Sequence, residues 1–277
     1  MKKILNNSYI FLLVALSLAA CKKDDDPATP ETQTSPTDGL EFIFTTDIPN
    51  TGLSVSFYAD EALFTGYNNV YAQINETGSA NALVTDADLS IMPMMQMPSM
   101  MHSCPFGNMS YDGELKLYKG FIVFIMGTMA DGSWSLDVNV TNAEGETGEQ
   151  TVDIEVVNPA ESKVVSFVSD VDQASYFITL VEPISPEIGI NDFVVGIYKR
   201  ENMMSFPATS DLHVTIEPEM PSMGHGSPNN VNPAFTEDGM YSGKVNFTMS
   251  GEWKINMEVM DENMNLMKTG ISFDITL

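Results

Sequence analysis

Basic residues are scarce in this 277-residue chain, which sets 12 lysines and arginines against 38 aspartates and glutamates for a formal net charge of −26. A surface this acidic repels a phosphate backbone, which excludes nucleic acid as a partner; the charge serves solubility first. Cysteine occurs twice and histidine three times. Two cysteines cannot build a disulfide framework, and a blue-copper electron-transfer centre, which needs two histidines and a cysteine around one ion, finds too few ligands in histidines scattered this widely. Enzyme signatures are also missing: there is no G-x-S-x-G, no H-E-x-x-H and no phosphate loop. A binding protein is therefore expected rather than an enzyme. No stretch pairs a 3.6-residue apolar rhythm with capping residues, so helices are not expected either.

Long apolar runs are absent apart from one near the N-terminus. Residues 1–20, MKKILNNSYIFLLVALSLAA, place two lysines before an apolar stretch too short and too early for a spanning helix. They are expected to be a secretory signal. The sequence LSLAAC resembles the lipobox of bacterial lipoproteins, which implies cleavage before Cys21, acylation of its thiol and an outer-membrane lipid anchor. The following CKKDDD resembles the export signal of Bacteroidota lipoproteins, which implies a cell-envelope protein on the periplasmic or outer face of that membrane. Residues 21–39 are polar, rich in proline and threonine and without apolar periodicity, so a disordered tether is expected there. With Cys21 acylated, Cys104 is left as the single thiol, and no intramolecular disulfide is expected.

The rest of the chain repeats itself. Shifted by 123 positions, residues 97–126 align without a gap on residues 220–249 with eleven of thirty pairs identical, MPSM matching MPSM and His102 matching His225. Flanking segments follow, among them GSWSLDVNV at Gly132 against GEWKINMEV at Gly251. There the alternation is clean: Trp134, Leu136, Val138 and Val140 in one copy answer Trp253, Ile255, Met257 and Val259 in the other. Period two marks strands with one buried face, and similar runs recur between Gly, Asn, Asp and Pro. The expectation is an all-β chain of two tandem immunoglobulin-like antiparallel sandwiches of about seven strands each, residues 40–157 and 163–277.

One segment fits neither rhythm. MPMMQMPSMMHSCP, residues 92–105, holds six methionines and three prolines. Prolines this frequent argue against a central strand, so a surface loop leaving the strand near Ile91 is expected. The second copy, EPEMPSMGHGSP, has shed most of the extra methionines but keeps two methionines three apart and a histidine two further on. Thioether sulfur is a neutral, soft donor suited to Cu(I), and imidazole suits either oxidation state; neutral sulfur also avoids competition from protons. The candidate metal ligands are Met97, Met100 and His102 in the first copy and Met220, Met223 and His225 in the second. Met92, Met94, Met95 and Met101 are auxiliary sulfurs. Cys104, where the second copy has Ser227, is open to three readings: a further ligand, a free thiol or an intermolecularly paired one. His213 is expected to point outward from a strand, Met126 and Met249 inward, and the methionines of residues 260–267 to pack the end of the second copy.

The MPxMxH segment after a strand, followed by YxGxxxF and GxW strands, resembles the YtkA-like domain family, related to the FixH-like group. That resemblance implies a β-sandwich associated with copper handling, with the six Met and His residues above as ligands. The function expected from it is copper sequestration or delivery, with a copper donor or acceptor protein as partner. The alternative is a structural or adhesive surface lipoprotein whose methionine-rich loops contact another protein.

Overall fold

Alternating burial organises almost every segment of the computed structural model, which describes residues 35–79 and 82–277. The signal segment, Cys21 and most of the expected tether lie outside the described residues. The described end of the tether is a turn, closed by a hydrogen bond from the Leu40 amide to the Thr37 carbonyl at 3.1 Å. The first half contains β1 (Glu41–Ile48), β2 (Leu53–Ala59), β3 (Gly66–Glu76), β4 (Leu83–Val84), β5 (Asp88–Gln96), β6 (Met101–His102), β7 (Ser110–Asp112), β8 (Leu117–Phe124), β9 (Ser133–Thr141) and β10 (Thr147–Ile154). The second contains β11 (Val164–Val168), β12 (Ser175–Glu182), β13 (Gly189–Arg200), β14 (His213–Met220), β15 (His225–Gly226), β16 (Val231–Phe235), β17 (Met240–Phe247), β18 (Glu252–Met260) and β19 (Leu266–Thr276). Among the described residues there is no helix.

The duplication is visible in the topology. One sheet of the first half runs β1-β2-β3-β8-β7, with β4 added to β3, and the other runs β10-β9-β5-β6. The second half repeats both orders strand for strand as β11-β12-β13-β17-β16 and β19-β18-β14-β15, with no partner for β4. The excess over seven strands per sandwich comes from short pieces, β4, β6 and β7 in the first half and β15 and β16 in the second.

Each half has its own core. Trp134, Leu136, Val138 and Val140 of β9 are buried with Val55, Phe57 and Phe124; Trp253, Ile255, Met257 and Val259 of β18 are buried with Ile178, Phe193 and Phe247. Burying each such side chain contributes about 1.5–3 kcal/mol, which fixes the register because a one-residue slip would turn the whole row outward. A duplicated asparagine holds the entry to the central strand. Asn68 accepts from the Phe64 amide and donates to the Phe64 and Gly66 carbonyls, and Asn191 does the same with Glu187 and Gly189.

From Pro36 onward the two sandwiches form one compact unit. The outer faces of β3 and β8 meet those of β12 and β13, where the Phe121 ring lies 6.3 Å from that of Tyr198. A second tie joins the Ser103 amide, just after β6, to the Met203 carbonyl in the β13–β14 connection at 2.8 Å.

Candidate functional site

The methionine-rich segment is a β-hairpin rather than a loop. β5 continues through it to Gln96, burying Leu89, Ile91, Pro93 and Met95 on one face and exposing Ser90, Met92 and Gln96 on the other. Pro93 is tolerated because its carbonyl accepts the Ser103 hydroxyl at 2.7 Å and so points away from β9. The amide that the ring lacks would face that same edge, where no strand requires a donor. Pro218 occupies the matching place in β14, buried between Ile216 and Met220.

Met95 pairs with His102 and Gln96 with Met101, after which the Met97 amide donates to the Met100 carbonyl at 2.9 Å. In the second module Glu219 pairs with Gly226 and Met220 with His225. The Met223 and Gly224 amides close that turn on the Met220 carbonyl at 3.1 and 2.9 Å, with Gly224 at φ 67°, a left-handed conformation that glycine adopts without strain. The registers therefore make Met95 the counterpart of Met220, whereas the identity of the two MPSM strings pairs it with Met97. The first hairpin is therefore two residues longer than the second. Two glycines agree: a Cβ on Gly132 would stand 2.8 Å from the Met95 methyl, and one on Gly251 2.9 Å from the Met220 methyl.

Residues opposite each other in an antiparallel hairpin share a face, as do alternate residues along each arm. Met97, Met100 and His102 thus lie on one face, above Met95. Met97 is half-buried against the core, Met100 is 43% exposed and His102 is buried. The second hairpin has no additional rung. Met220 is in the core at 3% exposure, His225 is half-buried, and Met223 sits at the turn, 61% exposed.

Both histidines are held alike. Nδ1 of His102 lies 2.8 Å from the Ser103 carbonyl oxygen and Nδ1 of His225 lies 3.0 Å from that of Gly226. A carbonyl only accepts, so Nδ1 is the donor in each contact, and in the neutral tautomer that this selects the lone pair is on Nε2. Each ring also stands edge-on to a tryptophan, His102 to Trp134 at 5.7 Å and 88°, His225 to Trp253 at 5.9 Å and 77°. Each indole N–H is anchored in turn on a carbonyl, that of Met126 at 2.9 Å and that of Met249 at 3.0 Å. Strand alternation by itself places both tryptophans in the core. Their contact with the histidines is a tertiary one that strand alternation does not reveal.

Other expectations separate. Cys104 is buried, and burial pushes its thiol well above the ordinary range. It is therefore closed to an intermolecular disulfide and poorly nucleophilic. His213 is exposed as expected, and Met267 packs the core of the second module. Met126 is half-buried against the first core, but Met249, two residues past the end of β17 as Met126 is past the end of β8, is 38% exposed rather than inward. Met92 and Met101 are exposed on the outer face of the first module, while Glu217 stands where Met92 does. Among the described residues no three His, Cys, Asp or Glu side chains gather where they could hold a metal ion. An ion at either hairpin would depend on thioether sulfur.

Residues 170–258, which include the second hairpin and most of β18, match the model of the YtkA-like family. No curated protein matches the chain. Similar solved structures include the Yersinia pseudotuberculosis adhesin InvE, at 12% identity and a TM-score of 0.27 over 83% of this chain and 60% of that one. A conserved domain protein from Bacillus anthracis is 8% identical with a TM-score of 0.28, over 91% and 95% of the two chains. Invasin, a bacterial integrin-binding protein, is 11% identical with a TM-score of 0.22, over 81% and 39%. The chain spans less than two thirds of the InvE and invasin chains. These likenesses concern the fold alone.

Proposed function

We propose, for a chain whose second module matches the YtkA-like family, that the protein is a lipid-anchored cell-envelope protein that binds copper as Cu(I) at its Met/His hairpins. Its role is then copper sequestration or delivery, with a protein donor or acceptor and no chemistry of its own. The observation that carries this reading is the duplicated histidine, with Nδ1 committed to a backbone carbonyl and Nε2 left to donate beside thioethers. A metal-binding imidazole usually donates its other ring N–H to a carbonyl or carboxylate in this way. In the first module Met97, Met100 and His102 share a face and supply two soft sulfurs and one nitrogen. In the second, His225 and the exposed Met223 are the accessible donors, and Met220 can join them only by a change of rotamer out of the core. The lipid anchor at Cys21 rests on the lipobox resemblance.

Titration of the protein with Cu(I) against a competing chelator tests the reading. Binding is expected in the parent and not in a variant with Met97, Met100, His102, Met220, Met223 and His225 changed to Ala. Equal copper retention by both proteins would end the proposal. A second reading, an adhesive surface protein, draws on a separate observation. Exposed Met92 and Met101 put apolar side chains on the outer face of the first hairpin, where the second has Glu217 and Gly224, and adaptable methionine surfaces suit protein contacts. Under that reading the change Met92→Glu with Met101→Glu abolishes partner capture and leaves copper binding intact.

A further inference from the structure

The turn that leads into the central strand is covered in one module and bare in the other. In the first module the chain leaving β10 runs beside it in parallel, bridging Phe64 to Val157. The Val157 amide donates to the Leu63 carbonyl and the Val157 carbonyl accepts from the Thr65 amide, both at 2.9 Å. The Thr65 hydroxyl adds a bond of 2.8 Å to the Asn158 side chain. Leu63 and Thr65 are buried there. Lys163 closes over the same place, so a Cβ on Gly66 would stand 3.0 Å from the Lys163 Cβ.

The asparagine clamps fix the counterparts in the second module. Asn68 and Asn191 equate Phe64 with Glu187 and Gly66 with Gly189, hence Leu63 with Pro186 and Thr65 with Ile188. Asn191 takes both the amide and the carbonyl of Glu187. In an extended chain the flanking Pro186 carbonyl and Ile188 amide then point to the opposite edge. Among the described residues no strand bonds them there, and a Cβ on Gly189 would meet nothing within 4 Å. Ile184, Ile188 and Ile190, at 72%, 63% and 64%, are the most exposed large apolar side chains among the described residues. Single apolar residues on a surface are ordinary, but three on one turn mark a contact. Charge narrows the occupant. Glu187 is exposed, Glu182 holds the Ile184 amide at 2.9 Å, and Lys244 on the adjoining strand is already paired with Asp192. The rim is therefore acidic on a chain of net charge −26, which favours a basic partner and disfavours a second copy.

We propose that the turn at residues 184–190 is a strand-acceptor site for an extended, basic segment of a partner protein. The segment pairs in parallel, one of its residues donating to the Pro186 carbonyl and accepting from the Ile188 amide as Val157 does in the first module. Its apolar side chains lie against Ile188 and Ile190, which share a face, and its lysines or arginines approach Glu182 and Glu187. Main-chain bonds supply affinity in such an addition, and the side chains beside them select the sequence. This inference stands apart from the metal reading and uses none of its residues.

Fluorescence anisotropy with the labelled peptide KVKVTVK tests it, with EVEVTVE and a KVKVTVK methylated at alternate backbone nitrogens as comparisons, and amide hydrogen exchange locates the contact. Saturable binding of KVKVTVK is expected, with the Ile188 amide protected. Binding should weaken about tenfold in Ile188→Ser with Ile190→Ser, in Glu187→Lys and on backbone methylation, the scale of one interaction lost. All three side chains are exposed, so the variants retain the fold. The proposal is overturned if KVKVTVK does not bind, if EVEVTVE binds as tightly, if the serine variant binds as tightly as the parent, or if protection falls outside residues 184–190. Sedimentation showing a dimer of the parent that the serine variant loses would assign the turn to a second copy and overturn it as well.

Discussion

Met95 and His102 face each other across the β5–β6 hairpin, and Met220 and His225 repeat the pairing across β14–β15. In both cases the methionine is the core side of the pair and the histidine the side nearer to solvent. The stability of each hairpin therefore rests on a thioether that sequence matching does not identify in the first module.

Truncating that thioether should be expensive. Met95→Ala and Met220→Ala are each expected to destabilise the fold by about 2–5 kcal/mol, the range for emptying a core position. Met97→Ala, Met100→Ala and Met223→Ala should each cost less than about 1 kcal/mol, as surface or half-buried truncations do. Urea unfolding of the five variants measures this. A loss at Met97 equal to that at Met95 would restore the pairing drawn from the MPSM strings.

The two tryptophans are the only ones in the chain, and each touches one of the two candidate histidines. Cu(I) binding should therefore quench both. With Trp253→Phe leaving Trp134 as reporter, the response is expected to vanish on His102→Ala and to survive His225→Ala; the Trp134→Phe background should give the reverse. Quenching indifferent to either histidine would place the ion elsewhere.

Cys104 should be silent toward Ellman's reagent in the native protein and react fully in urea. Its folded-state pKa is raised by burial, so the unfolded chain loses that proton first. The linked stability is intact below the unfolded thiol value of about 8.5 and declines as the pH rises above it. Cys104→Ala should remove this alkaline component, seen as a flatter dependence of melting temperature on pH between about 8.5 and 10. Rapid labelling of native protein would contradict the burial of the thiol.

Asp172 shapes the acid side. Burial works against its charge, but Lys199 at 2.8 Å, the Ala174 amide at 3.1 Å and the Tyr176 hydroxyl at 3.0 Å outweigh it and hold the carboxyl well below its ordinary range. The stabilisation is present above the unfolded value of about 3.9 and is lost as the pH falls below it. Because the Lys199–Asp172 pair is partly exposed, Asp172→Asn should cost only about 1 kcal/mol at neutral pH. Melting curves at pH 7 and pH 2 should show the difference from the parent shrinking in acid.

Strand alternation made most of the sandwich legible beforehand. The rows ending in Val140 and Val259 announce their buried faces without tertiary information. Pro93 is different. A proline reads as a break unless the strand edge it faces is known to be open, and that edge is set by Ser103 and the short β6. The candidate hairpins were half legible for a related reason. A gap-free match rewards identical letters, while the fold aligns residues by the partner they oppose, so Met95 was passed over for Met97.

The bond from Ser103 to Met203 makes the two copies of the duplicated hairpin unequal. The first is braced by the β13–β14 connection of its neighbour, and Met223 at the tip of the second is open to solvent. Substitutions that displace the Met203 carbonyl will therefore be read out at a hairpin a hundred residues upstream. Epistasis in this chain runs across the copies, so that neither repeat can drift as though it were a separate protein.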